Sequence, residues 1–364
     1  MSTAPAIAGV RATIYRFPTD APEADGTIAW ESTTMIVVDI EAGDTRGLGY
    51  SYGAPAAADV VRETLAQVIV GRDSFAIPAL WTAMVRAVRN IGWRGIAATA
   101  ISAVDVALWD LKAQLLNTPL ALLFGCARDR VPIYGSGGFT SYSDSQLCKQ
   151  LSDWVEHEGC RFVKMKVGSD PERDVERVAA AREAIGDAAL FVDANGAYAR
   201  KQALLFARRF DEFDVSWFEE PVSSDDLDGL RFLRQRIPAG MEIAAGEYGY
   251  EPYYFRRMLE AGAVDVLQAD ATRCGGYTGF LRASALADAF GLPLSAHCAP
   301  SLHLSVGCTA PRLRHIEWFH DHARIERIVF DGAPVPKAGT IAPALDRAGH
   351  GLNFKERDAE RWAA

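Results

Sequence analysis

Lys164 and Lys166 stand inside the apolar stretch RFVKMKVG at residues 161–168. Strand side chains alternate with a period of two, so these two ammonium groups share one face while Val163, Met165 and Val167 take the other. Further along, ionisable residues close a series of similar apolar runs: Asp193 after LFV, Glu219 and Glu220 after VSWF, Glu247 after EIAAG, Asp270 after VLQA, His297 after LPLSA, and Glu317 in HIEWF. Successive members lie 20 to 28 residues apart, the length of one strand–helix unit. A lone carboxylate at a strand end is more often a helix cap or a solvated charge, and a lone histidine is more often structural. Independent caps would not share one phase, and they would not include two lysines within an apolar strand.

Three carboxylates, Asp193, Glu219 and Glu247, come from three consecutive units and converge at one barrel mouth. Like charges that close together disfavour mutual ionisation unless a cation joins them, and an all-oxygen set suits Mg²⁺ better than zinc. Glu220 points away from Glu219, which is preferred as the ligand. A substrate carboxylate would complete the shell, with Lys166 on one face of it and His297 on the other. The carbon beside a carboxylate is a very weak acid. Its deprotonation to an enediolate calls for a neutral amine and a divalent cation. Lys164 is expected to depress the pKa of Lys166 by charge repulsion and to bind substrate carboxylate, and Asp270 to fix the tautomer of His297. Glu317, when protonated, can donate a hydrogen bond to the developing enediolate.

The elements that must position these groups are readable as two textures. Up to residue 128, β-rich runs such as VRATIYRF and TTMIVVDIEA precede helical periodicity that ends in TAISAVDVALWDLKAQLLN, an α+β unit. From 129 to 330, short apolar strands alternate with amphipathic helices through eight units, which predicts a closed parallel barrel; an open doubly wound sheet is the runner-up and lacks a glycine-rich dinucleotide fingerprint. The segment 331–364, rich in Gly and Pro, has no barrel unit and is expected to return to the first domain.

The chain has 364 residues, 49% hydrophobic, with a formal net charge of −9 and no basic cluster. Nucleic acid and anionic membranes are thereby disfavoured as partners. Six scattered cysteines form no CxxC pair, so neither a zinc cage nor a disulfide framework is suggested. The amino-terminal residues lack a basic stretch before an apolar core, and the expected location is the cytoplasm.

These residues resemble those of the enolase superfamily, within it the mandelate racemase group. The matching stretches are KMK at 164–166, VDANG at 192–196, WFEEP at 217–221, AGE at 245–247, QAD at 268–270 with GG at 275–276, SAH at 295–297, IEW at 316–318, and SAVDVALWDLKAQLLNTPLALLFG in the first domain. The resemblance implies a modified (β/α)₇β TIM barrel under an N-terminal α+β capping domain. It also implies one Mg²⁺ per subunit held by Asp193, Glu219 and Glu247, with Lys166 and His297 as acid/base residues, Asp270 as the partner of His297, and Lys164, Glu317 and Asn195 near substrate. Relatives of the muconate cycloisomerase and dipeptide epimerase type carry a lysine where Asp270 stands, so those reactions are not expected. By analogy, specificity loops at about 17–32 and 47–54 line the pocket, with Tyr50 and Trp30 as candidate substrate contacts. Asp20, Glu23, Asp25, Glu31 and Tyr52 add hydrogen-bonding groups suited to a polyol. A small hydroxy acid or sugar acid is the expected partner, and the resemblance implies a homo-oligomer. Dehydration of an acid sugar is favoured over 2-hydroxy acid racemisation or epimerisation; a non-catalytic binding homologue is the remote alternative.

Overall fold

The structure, a computed structural model, describes residues 4–364. Three strands, β1 (Ile7–Ala24), β2 (Ala29–Ala42) and β3 (Thr45–Tyr52), form an antiparallel sheet in that order. The inward residues Ile36, Val38 and Ile40 are fully buried and share a core with the helix Ile96–Leu115. Fifteen of that helix's 20 residues are buried, so it sits inside the molecule between sheet and barrel. A Cβ on Gly49 of β3 would stand 2.2 Å from the Ala103 carbonyl oxygen, which is why glycine lets strand and helix approach this closely.

Eight parallel strands follow: β4 (Val131–Gly137), β5 (Phe162–Lys166), β6 (Ala189–Asp193), β7 (Val215–Glu219), β8 (Glu242–Ala245), β9 (Val266–Ala269), β10 (Leu294–Ala296) and β11 (Leu313–Phe319). Each pairs with the next, and β11 pairs with β4 to close the barrel. Tyr134, Phe191, Trp217, Ala244 and Val266 fill its interior as one apolar layer. A helix, His320–Val329, follows the eighth strand as well and buries Asp321, His322 and Glu326. Its partners include the cap: Tyr50 and Tyr52 both donate to Glu326, and Thr33 donates to Asp321.

Two regions expected by analogy to be specificity loops are mostly strand, the second of them, GLGYSYG, having also read as a β-rich run. The 17–32 stretch is the far end of the β1–β2 hairpin, with Phe17 opposite Thr33 and Ala24 opposite Ala29. Asp25 builds the turn by accepting from the backbone N–H of Thr27 (2.6 Å) and Ile28 (2.8 Å). Most of 47–54 belongs to β3. The hairpin tip rests on the barrel mouth: a Cβ on Gly26 would stand 2.4 Å from the Ala194 oxygen and 2.6 Å from the Val167 oxygen.

The last segment touches both units. Thr340–Ile341 adds antiparallel to the start of β4, while Ala364 donates its N–H to Ile14 of β1 at 3.0 Å. No helix of the described residues is long and apolar enough to cross a membrane.

Candidate active site

Parallel register brings the acidic strand ends to one level. Lys166 pairs with Asp193, and Asp193 with Glu219, across β5, β6 and β7. Glu247 follows β8 after a single glycine. Asp193, Glu219 and Glu247 are all buried, each offering an oxygen within 4.8 Å of the others'. The basic partners lie among them. Lys164, wholly buried, donates to Glu219 Oε1 at 2.7 Å and stands 2.8 Å from Glu317 Oε1, while Lys166 Nζ is 2.5 Å from Asp193 Oδ2. The Trp217 indole N–H donates to Glu219 Oε2 at 3.0 Å. Burial and the facing Asp193 raise the Glu219 carboxyl to about 7, against the pull of Lys164. Three buried oxygen donors with a surplus of negative charge fit a hard divalent cation.

Across the mouth, His297 Nδ1 lies 2.8 Å from Asp270 Oδ2, and Thr272 fixes the other Asp270 oxygen through its N–H and hydroxyl, each at 2.7 Å. His297 Nε2 faces Glu247 Oε2 at 3.2 Å, Cys298 Sγ at 3.3 Å and Glu317 Oε2 at 3.7 Å. Burial would lower the imidazole's pKa, but Cys298, Glu247, Glu317 and Asp270 together hold it well above the usual value. Burial likewise would raise Asp270, and the histidine brings it down to about 2. The carboxylate trio therefore has Lys166 at its Asp193 end and His297 at its Glu247 end.

Several expectations change. Burial acts downward on Lys166, and so does Lys164, as expected, but Asp193 outweighs both and the pKa rises. Glu317 is drawn toward its ionised form, which opposes a donor role. Burial pushes its carboxyl up, but Lys164 and His297 hold it far below the carboxylate range, and it accepts from Ser136 (2.6 Å) and from the Cys298 N–H (2.9 Å). Tyr50 does not face a pocket; it is fully buried, donates to Glu326 at 2.8 Å and stacks on Phe330. Of the acidic hairpin groups, Asp20 pairs with His320 at 3.0 Å, Asp25 accepts within its own turn, and Glu23 accepts from the Trp30 indole at 2.7 Å through one oxygen while the other is buried without a partner.

Trp30 itself packs edge-on against Phe139, in an apolar cluster with Tyr142, Cys298 and Phe319 that seats the hairpin beside His297. Asn195, at φ 45°, donates its backbone N–H to Asp193 and leaves a buried side-chain oxygen without a partner. It and Glu220 line a cleft of about 430 Å³ with Ser223, Tyr248 and Tyr250. Cys298 and Arg273 were not singled out from sequence. Arg273 reaches Glu247 Oε1 at 3.3 Å, and its only sequence signal is its place three residues after Asp270.

A closed parallel barrel with a carboxylate trio at the carboxyl ends of its strands, under an antiparallel cap, defines the class of capped metal-binding barrels. A family model described as "Enolase C-terminal domain-like" matches residues 146–359, and one described as "Mandelate racemase / muconate lactonizing enzyme, N-terminal domain" matches residues 12–125. The chain belongs to the enolase superfamily, in its mandelate racemase subgroup. It is 36% identical over 354 residues to the 3,6-anhydro-alpha-L-galactonate cycloisomerase of Streptomyces coelicolor, covering 94% of this chain and 95% of that one. It is 32% identical over 338 residues to the L-talarate/galactarate dehydratase of Salmonella typhimurium, covering 90% and 82%. A crystal structure of the latter with Mg and L-lyxarohydroxamate superimposes with a TM-score of 0.90 at 29% identity, covering 100% of this chain and 94% of that one. A mandelate racemase/muconate lactonizing enzyme-like protein from Rubrobacter xylanophilus matches with a TM-score of 0.96 at 49% identity, covering 99% and 100%.

Proposed function

We propose that this protein is a Mg²⁺-dependent sugar-acid dehydratase, in which Asp193, Glu219 and Glu247 hold the ion, Lys166 removes the α-proton and His297 protonates the departing β-oxygen. The observation that carries this reading is the placement of two nitrogen bases at opposite ends of one carboxylate trio. The bound ion would supply positive charge beside the substrate carboxylate, making the α-carbon more acidic.

The chain's own groups divide the remaining work. Lys166 must be neutral to accept a proton, and what keeps it charged is Asp193 Oδ2 at 2.5 Å. Committing Asp193, Glu219 and Glu247, which all raise the Lys166 pKa, to a cation would leave burial and Lys164, both of which favour the free amine. His297, held as an imidazolium by the carboxylates around it, is suited to give a proton to a leaving hydroxyl. The α-C–H electron pair becomes the new C=C bond, the β-C–O bond breaks, and the proton from His297 converts the departing oxygen to water; the enol then becomes a 2-keto-3-deoxy acid. Lys164 and Glu317 neutralise each other beneath the substrate and hold Glu219 in place. Trp30 walls the site, and the free oxygen of Asn195 offers a hydroxyl acceptor.

A second reading has a specific support, the 36% identical relative named as a cycloisomerase. If the β-oxygen belongs to a ring, the same proton transfers open the ring and no water leaves. A library of sugar acids and their anhydro forms, assayed with Mg²⁺ for 2-keto acid formation, tests both. Product from open-chain acids supports dehydration, and product only from anhydro acids supports cycloisomerisation. Exchange of the α-hydrogen in D₂O accompanied by epimer alone would replace both with a racemase.

A further inference from the structure

We propose that His297, Cys298 and Glu317 form a second metal site, selective for a thiophilic divalent cation such as Zn²⁺, and that its occupation withdraws His297 from proton transfer. The three candidate ligand atoms form a compact triangle: Nε2 to Sγ is 3.3 Å, Sγ to Oε2 is 3.5 Å, and Nε2 to Oε2 is 3.7 Å. A tetrahedral zinc ion, with sulfur at about 2.3 Å and nitrogen or oxygen at about 2.0–2.2 Å, keeps its ligands roughly 3.4–3.6 Å apart. The side chains already match one face of that tetrahedron to within a few tenths of an ångström.

A second observation points the same way. His297 Nδ1 is engaged by Asp270 at 2.8 Å, and this leaves Nε2 directed at the sulfur. An imidazole tied back by a carboxylate is the usual support of a metal-ligating histidine. All three residues are buried, so side-chain ordering is already accomplished. A thiolate and a carboxylate would neutralise the ion's two charges. The thiol proton and the Nε2 proton of the His297 imidazolium both leave to solvent on binding, so affinity falls in acid.

Donor chemistry separates the two sites. The all-oxygen trio suits a hard ion, and the nitrogen–sulfur–oxygen set suits a softer one. Glu247 Oε2 lies 3.2 Å from the same Nε2 and marks where the two sites adjoin. The CxxC spacing of a zinc cage is absent from the sequence, because here two ligands are neighbours at the end of β10 and the third comes from β11.

Co²⁺ titrated into the Mg²⁺-saturated protein tests the site without any substrate. The expected result is a thiolate-to-cobalt charge-transfer band that saturates at one equivalent, disappears on adding Zn²⁺ and is missing in Cys298→Ser. Absence of the band, or its persistence in Cys298→Ser, would overturn the proposal; the latter would trace the signal to another thiol such as the exposed Cys126. An unchanged Mg²⁺-dependent rise in melting temperature shows that Cys298→Ser is folded. In the 2-keto acid assay, Zn²⁺ is expected to inhibit despite excess Mg²⁺, with the inhibition midpoint raised about 100-fold in Cys298→Ser. That arm rests on the role proposed above for His297: cobalt binding without inhibition supports the metal site and overturns that role.

Discussion

Removing the Lys166 amine separates proton abstraction from metal binding. Lys166→Ala should lower turnover by at least about 100-fold, the scale of general base catalysis, while Mg²⁺ affinity measured by calorimetry stays within a few-fold. An equal loss of metal affinity would mean that the lysine supports the ion rather than the proton transfer. Glu219→Gln should do the reverse first, weakening Mg²⁺ by about 10- to 100-fold. Undiminished affinity would move the ligand to Glu220, which is buried beside it with one oxygen lacking a partner. At this scale the sequence was most informative for residues whose role follows from phase, since a strand end in a closed barrel has only one place to be. It was least informative for ionisation. The sequence left the charge of Glu317 open, and a lysine from a different strand, 2.8 Å away, draws its pKa down against burial.

At the scale of elements, the β1–β2 hairpin is the part of the cap that reaches the barrel mouth. Thr140 bonds its tip from the barrel side, N–H to Ala24 O at 2.8 Å and hydroxyl to Asp25 O at 2.8 Å. Gly26→Ala has no room against Ala194 and Val167, so the tip must lift. The expected outcome is a 10- to 100-fold lower kcat/KM with little change in urea midpoint, as for misplacement of a substrate-positioning element. Gly49→Ala is the opposite case, placing a methyl against the backbone of the cap's central helix. A destabilisation of about 1–3 kcal/mol by urea titration is expected from such overpacking. The hairpin was read from sequence as loop because PTDAPEADG is dense in Pro, Gly and acidic residues. An edge hairpin with an irregular register between Pro18 and Glu23 accommodates those residues, and composition alone does not distinguish the two.

The whole molecule is held by contacts between cap and barrel that also respond to solution conditions. Asp105 of the cap helix accepts from the Thr278 hydroxyl (2.6 Å) and N–H (2.9 Å), and burial raises it to about 7 even though those bonds pull it down. A carboxyl whose folded pKa exceeds its unfolded value of about 3.9 contributes stability that is fully present below pH 4 and is lost as pH rises through 7, by about 4 kcal/mol at the upper limit. The stability difference between Asp105→Asn and the parent should therefore shift in the variant's favour from pH 4 to pH 8, measured by denaturant titration; a pH-independent difference would show that Asp105 stays ionised when folded. Magnesium offers a second handle. An ion bound only by the folded chain stabilises it by about 2.7 kcal/mol at a hundredfold excess over its dissociation constant. The melting temperature should accordingly climb with Mg²⁺ and fall with chelator, and Glu219→Gln should blunt both effects.

The sequence by itself determined the barrel and the identity of its polar rim, because strand periodicity and the regular length of each strand–helix unit fix which residues arrive at the same mouth. Only the tertiary structure decided what those groups do to one another. Tyr50 became an interior prop through Glu326 on a helix 276 positions away, and Cys298 came to face Glu317 across two strands. Charge state and ligand geometry depend on distances of a few ångströms between residues far apart in the chain, and no local pattern encodes those.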